Sequence, residues 1–213
     1  MAEPLIGCRC CPAAVNIRSM NTPEHNDVYL VRHGETAWSL TGQHTGRTDL
    51  PLTPHGEEQA RTLVGTLSGL KFDHVFSSPL QRAHRTCELA GFGAVASLDP
   101  DLLEWDYGQY EGRKSVEIHQ QRPDWDLFRD GCPGGESVAQ ISERVDRVVA
   151  RLRALPGTVL LFSSGHVLRV LAARWIESPA AVGRGLLLDP ACLCRLGYEH
   201  GNRDSVIRLW NQR

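Results

Sequence analysis

No stretch of the 213 residues approaches the roughly 18 consecutive apolar residues of a membrane span, so no membrane-crossing helix is expected. An excess of one charge is missing as well. Lys and Arg number 23 against 25 Asp and Glu, a net charge of −2, so nothing global recruits nucleic acid or an anionic membrane surface. Any basic site must be local. No internal repeat or low-complexity tract is present. The seven cysteines (Cys8, Cys10, Cys11, Cys87, Cys132, Cys192 and Cys194) are odd in number and follow no clear signal peptide, which argues against a secreted disulfide scaffold and for a cytoplasmic protein. Cys87 and Cys192 are expected to pack as small hydrophobes. Cys8-Arg9-Cys10-Cys11 could be read as a metal cluster, but no matching His/Cys set stands near it, and no metal or cofactor is expected.

A hydrophobic content of 41% is ordinary for a globular chain, and the length suits one large domain or two small ones. Residues 1–26 show no clear periodicity and read as an extension, either disordered or the product of an over-long gene model that starts at Met20. The patterned chain is read as one domain over 27–213.

Val28-Tyr29-Leu30-Val31 is too short and too apolar for a core helix and reads as a buried strand. A long loop through Leu52 follows. Thr53-Pro54 with Glu57 starts a helix whose apolar face is Ala60, Leu63, Val64 and Leu67. Further strands are expected at Lys71–Phe76, Ala94–Leu98, Thr158–Phe162, Cys192–Leu196 and Val206–Trp210, the last two joined by a turn at His200-Gly201-Asn202. Helices are expected from Pro79, over Ser115–Gln121, over Glu136–Leu155 with Pro156-Gly157 as its stop, and over His166–Ile176. Alternating strands and helices imply a three-layer α/β/α domain with a mainly parallel central sheet. Three segments follow strands directly: Arg32-His33-Gly34, Ser77-Ser78-Pro79 leading to Arg82, and Ser164-Gly165-His166. In such a sheet they converge beyond the C-terminal strand ends.

The first of these carries the most chemistry. A guanidinium forks onto phosphate oxygens, and a neighbouring imidazole can attack phosphorus. Gly34 lets the backbone approach a phosphate closely.

The full run Arg32-His33-Gly34-Glu35-Thr36-Ala37-Trp38 resembles the signature of the histidine phosphatase superfamily, in its phosphoglycerate mutase-like branch. The resemblance extends from about Asp27 to the C-terminus. It runs through Gly42-Gln43-His44-Thr45-Gly46, Asp49-Leu50-Pro51-Leu52-Thr53 and Ser77-Ser78-Pro79-Leu80-Gln81-Arg82-Ala83. It continues through Leu103 to Gly112, Arg129 to Ser137, and Leu161-Phe162-Ser163-Ser164-Gly165-His166-Val167-Leu168-Arg169. Within the family the chain looks most like the small acid phosphatases and the fungal-type sedoheptulose bisphosphatase.

The resemblance implies a phosphoglycerate mutase-like fold and roles for individual residues. His33 is the nucleophile. Arg32 and Arg82 clamp the phosphoryl oxygens, since phosphoryl transfer depends mostly on positioning and charge. Glu104 is the general acid and base, with Glu35, Glu111 and Asp106 as lesser rivals. Gly34, Ser39, Gln43, Thr45, Gly46, Tyr107 and Gly165 contact substrate. The departure is Ser164, where the family carries a histidine. Ser164 could serve as a weak neutral donor, or His166 could supply the second imidazole, or the chain could be altered at this position. Losing one donor typically costs about a hundred- to thousand-fold, not all activity.

The reading is a metal-independent phosphatase of small phosphorylated metabolites, either sugar phosphates or a broad range of esters, acting through phospho-His33. Mutase-type phosphoryl transfer is the first rival, although the stretch from Glu104 to Ser164 is short for a mutase of this branch. An impaired or binding-only homologue, suggested by Ser164, is the second, and a phosphotyrosine phosphatase the third. Arg122, Arg129 and Lys114 could meet a second phosphate or a carboxylate. The resemblance also allows a homodimer.

Overall fold

The computed structural model describes residues 27–200 and 203–213. The expected N-terminal extension, the cysteine cluster within it, and Gly201-Asn202 of the last turn lie outside the described residues.

Six strands form one sheet in the order β3-β2-β4-β1-β5-β6. They are β1 (Val28–Arg32), β2 (His74–Ser77), β3 (Ser97–Leu98), β4 (Val159–Ser163), β5 (Leu193–Glu199) and β6 (Asp204–Gln212). The pairs β1–β4, β2–β4 and β2–β3 are parallel, and β1–β5 and β5–β6 are antiparallel. The mainly parallel sheet is therefore extended on one side by an antiparallel pair. The expected strand over 94–98 shrinks to two residues at the sheet edge, while β6 runs four residues beyond its expected span.

Strands β1 and β4 lie in the middle and are buried almost throughout. Alternation along β1 sends Val28 and Leu30 to one apolar core and Tyr29 and Val31 to the other. The first core is covered by α6 (Val138–Ala154) and α7 (Gly165–Trp175), the second by α2 (Pro54–Thr66) and α3 (Gln81–Leu89). This is the expected three-layer arrangement. Cys87 and Cys192 are fully buried within it.

Helix starts follow local chemistry. Thr53 caps α2, its hydroxyl accepting from the Gly56 N–H at 3.0 Å. Ser137 and Gln140 form a capping box at α6. Helix α7 differs: its N-cap residue, Ser164, makes no side-chain cap. The long loop after β1 contains an unexpected short helix, α1 (Ala37–Thr41), opened by a Thr36–Ser39 capping box and ended at Gly42. Two further short helices, α4 (Ser115–Gln121) and α5 (Leu127–Asp130), lie between the strands and α6.

Candidate active site

The ends of β1 and β4 are adjacent, with Arg32 paired to Ser163 and the His33 N–H donating to the Ser163 carbonyl at 2.9 Å. Beyond them opens a cleft whose empty space, open mouth included, is about 450 Å³. Arg32, His33, Ser39, Gln43, Thr45, Glu104, Tyr107, Gly165 and His166 of the expected residues line it. His44, Arg169 and Leu188 line it as well.

His33 is buried, and its Nδ1–H donates to its neighbour's carbonyl, Gly34 O, at 2.7 Å. That bond fixes the tautomer, so Nε2 carries the lone pair. Burial holds the imidazole well below its ordinary pKa, and the charges of Arg82 and then Arg32 push the same way. Neutral His33 is the form a nucleophile needs.

Arg32 donates from Nη1 to the Leu188 carbonyl, while its buried Nε has no partner among the described residues. Arg82 is fully buried and does not line the cleft. Its terminal nitrogens donate to Thr48 O at 3.0 Å, Thr45 O at 3.1 Å and Gly46 O at 2.9 Å, leaving Nε unpartnered. Two guanidiniums beside one imidazole, each with an idle buried N–H, suit an incoming oxyanion.

Glu104 enters from the segment after Leu102. Its Oε1 accepts from Trp105 N at 2.9 Å and Val167 N at 2.8 Å, and its Oε2 from His166 N at 2.9 Å. The carboxyl thereby replaces the absent Ser164 cap at the start of α7. Glu104 lines the cleft, and its Oε2, with one hydrogen-bond partner among the described residues, keeps a lone pair to spare. Tyr107 sits deep in the wall with its hydroxyl 2.6 Å from His166 Nδ1. Burial, then the charge of Glu104, raises the phenol well above its ordinary pKa. We assign the phenolic proton to this bond, which leaves His166 with an Nε2–H donor. Burial, Arg169 and His44 keep His166 well below its ordinary pKa.

Ser164 is completely buried, lies outside the cleft lining, and has no partner for its hydroxyl among the described residues. Of the two residues considered for the second imidazole position, the cleft holds His166.

Several expected contacts are placed otherwise. Gly34 does not line the cleft, and its N–H is taken by Thr86 Oγ1 at 3.1 Å. The close approach it permits is to helix α2, because a Cβ there would stand 2.3 Å from Gly56 O. Gly46 is also away from the cleft, its N–H donating to Glu111 Oε1 at 2.8 Å, and a Cβ would collide with Glu111 and Trp105. Ser39 lines the cleft, but its hydroxyl is engaged with Thr36. Gln43 spends its amide on Gly112 O and Thr41. Arg122 and Arg129 line a separate surface hollow, where Arg129 pairs with Asp130, and are not part of this site.

Three lining residues were missed from sequence, and of these Leu188 carries no chemical signal, whereas His44 and Arg169 do. His44, packed 4.8 Å from the Tyr107 ring centre, is lowered by burial to about 4, against the pull of Glu111. It stands inside the Gly42–Gly46 motif, between residues picked out for their amide and hydroxyl groups. Arg169 lies three residues after His166 on one helix face, a spacing that was available as a signal. No group of His, Cys, Asp and Glu able to hold a metal exists among the described residues, and no helix among them is long and apolar enough to cross a membrane.

The model of the histidine phosphatase superfamily (branch 1) matches residues 28–213. An acid phosphatase of Mycobacterium tuberculosis is 41% identical over 182 residues, covering 84% of this chain and 89% of that protein. A sedoheptulose 1,7-bisphosphatase of Saccharomyces cerevisiae is 39% identical over 181 residues, covering 68% and 66%. A protein named probable phosphoglycerate mutase GpmB, from Salmonella choleraesuis, is 35% identical over 182 residues, covering 81% and 85%. Among solved structures, that of the open reading frame Rv3214 of Mycobacterium tuberculosis superposes with a TM-score of 0.82 at 37% identity, covering 88% of this chain and 97% of that one.

Proposed function

The chain belongs to branch 1 of the histidine phosphatase superfamily, and from that premise we propose that it hydrolyses phosphomonoesters of small metabolites through a phosphohistidine on His33. One observation carries the reading: His33 Nδ1–H is committed to Gly34 O, so the lone pair is on Nε2 of a ring on which the charges of Arg82 and Arg32 both act, and each of those guanidiniums keeps a buried N–H without a partner among the described residues.

The phosphoryl oxygens are neutralised by Arg32 from the cleft and by Arg82 from behind His33. The Nε2 lone pair forms the N–P bond as the ester P–O bond breaks. Glu104, the one carboxyl lining the cleft among the described residues, gives its proton to the departing oxygen. As the carboxylate it then takes a proton from the water that breaks the N–P bond and releases inorganic phosphate. His166, oriented by Tyr107, donates its Nε2–H to a phosphoryl oxygen in place of the histidine the family carries at Ser164.

The reading is tested by quenching the enzyme during turnover of an aryl phosphate. An acid-labile phosphoryl group mapped to His33, and a loss of about 10³-fold or more in His33→Ala, support it. A label elsewhere, or turnover surviving His33→Ala, refutes it. Phosphoglycerate offered as acceptor separates hydrolysis from mutase-type transfer: the reading predicts free phosphate and no isomerised product.

A second reading, a binding-only homologue, is favoured by the buried and unpartnered Ser164 hydroxyl. Ser164→Ala and Ser164→His decide between them. If the unaltered chain turns over and Ser164→Ala changes little, His166 serves as the second imidazole. If turnover appears only in Ser164→His, the chain binds phosphate esters without hydrolysing them.

A further inference from the structure

Arg32 and Arg82 are held very differently. The Arg82 guanidinium rests on three carbonyls, whereas the Arg32 side chain has one hydrogen-bond acceptor among the described residues, the Leu188 carbonyl. The aim of the cleft guanidinium therefore depends on where that one carbonyl is held. The carbonyl belongs to the peptide joining Leu188 to Asp189, and the N–H of the same peptide donates to Asn211 Oδ1 at 2.7 Å. One rigid plane thus carries Arg32 on its oxygen and the Asn211 amide on its nitrogen. Hydrogen bonds at the two ends of a peptide polarise one another in the same sense.

Asn211 lies near the end of β6 and outside the cleft lining. Between the pairs Leu193–Gln212 and Arg195–Leu209 the register shifts, and Trp210 and Asn211 together stand opposite Cys194. That is a bulge, a device that re-aims a side chain at the cost of ladder bonds. Asn211 takes a φ of 58°, a left-handed conformation that asparagine tolerates better than most residues. Its backbone N–H goes to Cys194 Sγ at 3.3 Å, and its Nδ2 donates to Asp189 Oδ2 at 3.3 Å. Trp210 holds the preceding peptide, its Nε1 donating to Leu187 O at 2.5 Å. Further along the same segment, Ala191 N donates to the carbonyls of Arg32 and His33, each at 3.1 Å. Residues 187–191 are thus fastened to β6 on one side and to the His33 end of β1 on the other.

We propose that Asn211 is a positioning residue for phosphoryl transfer: its side-chain amide fixes the Leu188–Asp189 peptide, whose carbonyl aims the Arg32 guanidinium at the phosphoryl oxygens. The proposal rests on the reading of Arg32 as a clamp on the phosphoryl group at His33.

Asn211→Gly tests it, because glycine keeps the left-handed backbone and removes only the side chain. With an aryl phosphate, kcat should fall roughly three- to thirtyfold, a part of the worth of one charge-assisted hydrogen bond. The fall should disappear in an Arg32→Ala background, where no guanidinium is left to aim, so the two substitutions are strongly non-additive. An unchanged kcat, or the same fall in both backgrounds, overturns the proposal; the second result would mean that Asn211 serves the fold alone. If Asn211→Gly does not fold, the wild type decides by NMR titration with inorganic phosphate. Phosphate engaging Arg32 should move the Asn211 side-chain amide signal, and a signal that stays fixed at saturation overturns the proposal. Calorimetry with inorganic phosphate needs no turnover and keeps the two readings apart. A wild-type chain that does not hydrolyse the ester, yet shows the same non-additive losses in phosphate affinity, fails as a phosphatase and retains the positioning role. One that hydrolyses through His33 with additive losses does the reverse, and one that neither hydrolyses nor binds phosphate overturns both.

Discussion

The three cavity imidazoles share one electrical setting. His44 is lowered to about 4, and His33 and His166 lie well below the usual 6.5. Between the folded and unfolded values the unfolded chain binds more protons. Stability therefore rises with pH across that window, and is lost as pH falls from about 6.5 toward 4. Urea midpoints taken at pH 7, 5.5 and 4.5 should fall in that order, whereas a flat series would mean the rings are charged in the folded protein. Catalysis responds differently, since neutral His33 keeps its lone pair in mild acid. The acid limb of kcat/KM should lie below pH 6.5, and a limb at 6.5 would mean that burial and the charges of Arg82 and Arg32 do not lower His33. Gly34 gives a second outcome at this scale. Its Cβ would stand 2.3 Å from a backbone oxygen of α2, so Gly34→Ala should cost about 2 kcal/mol or more, read as a lower urea midpoint. Arg32 and His33 were legible because their chemistry is contiguous in sequence. The true partner of Gly34, Gly56, is 22 residues away, and adjacency alone could not reveal it.

Glu104 owes its position to a neighbouring pair of which only Glu136 stood in a recognised motif. Arg144 of α6 is buried and bonds Glu136 through both Nε and Nη2, each at 2.7 Å. It also donates to the carbonyls of Asp101, Leu103 and Glu104. Arg144→Met would leave the partly buried Glu136 carboxylate with the Asp106 N–H but without its guanidinium, at a cost of about 1–3 kcal/mol. A urea curve checks the stability. A fall in kcat would accompany it because the segment carrying Glu104 loses three anchors. The period of α6 was plain in Val138, Ile141, Val145, Val148, Val149 and Leu152, and Arg144 was hidden in that same pattern as an apparent surface residue. The short helices α1 and α5, of five and four residues, are too brief for periodicity to show. The β2, β4 and α7 boundaries fell within a few residues of expectation, because apolar runs and Pro-Gly stops mark cores better than ends.

Across the whole molecule, strand alternation with helices gave the layers and the convergence of three strand ends, but not the antiparallel attachment of β5 and β6. Which edge a strand joins is decided by long-range packing that local pattern does not encode. A measurable property follows from the assembled site. Ligand held by the folded form alone shifts the unfolding equilibrium by mass action. Inorganic phosphate at a hundred times its dissociation constant should add about 2.7 kcal/mol and raise the melting temperature by several degrees. An unchanged melting curve would show that the cleft does not take the anion.

The central position of β1 and β4 has a last consequence, which concerns time. Arg32, His33 and the start of α7 hang on the two strands enclosed by all the others. Their amide protons should exchange with heavy water only through global opening, while those of the exposed edge strand β6 exchange by local fraying. Competence for catalysis and possession of the native fold would then begin and end together, and a partly unfolded form of this protein would already be inert.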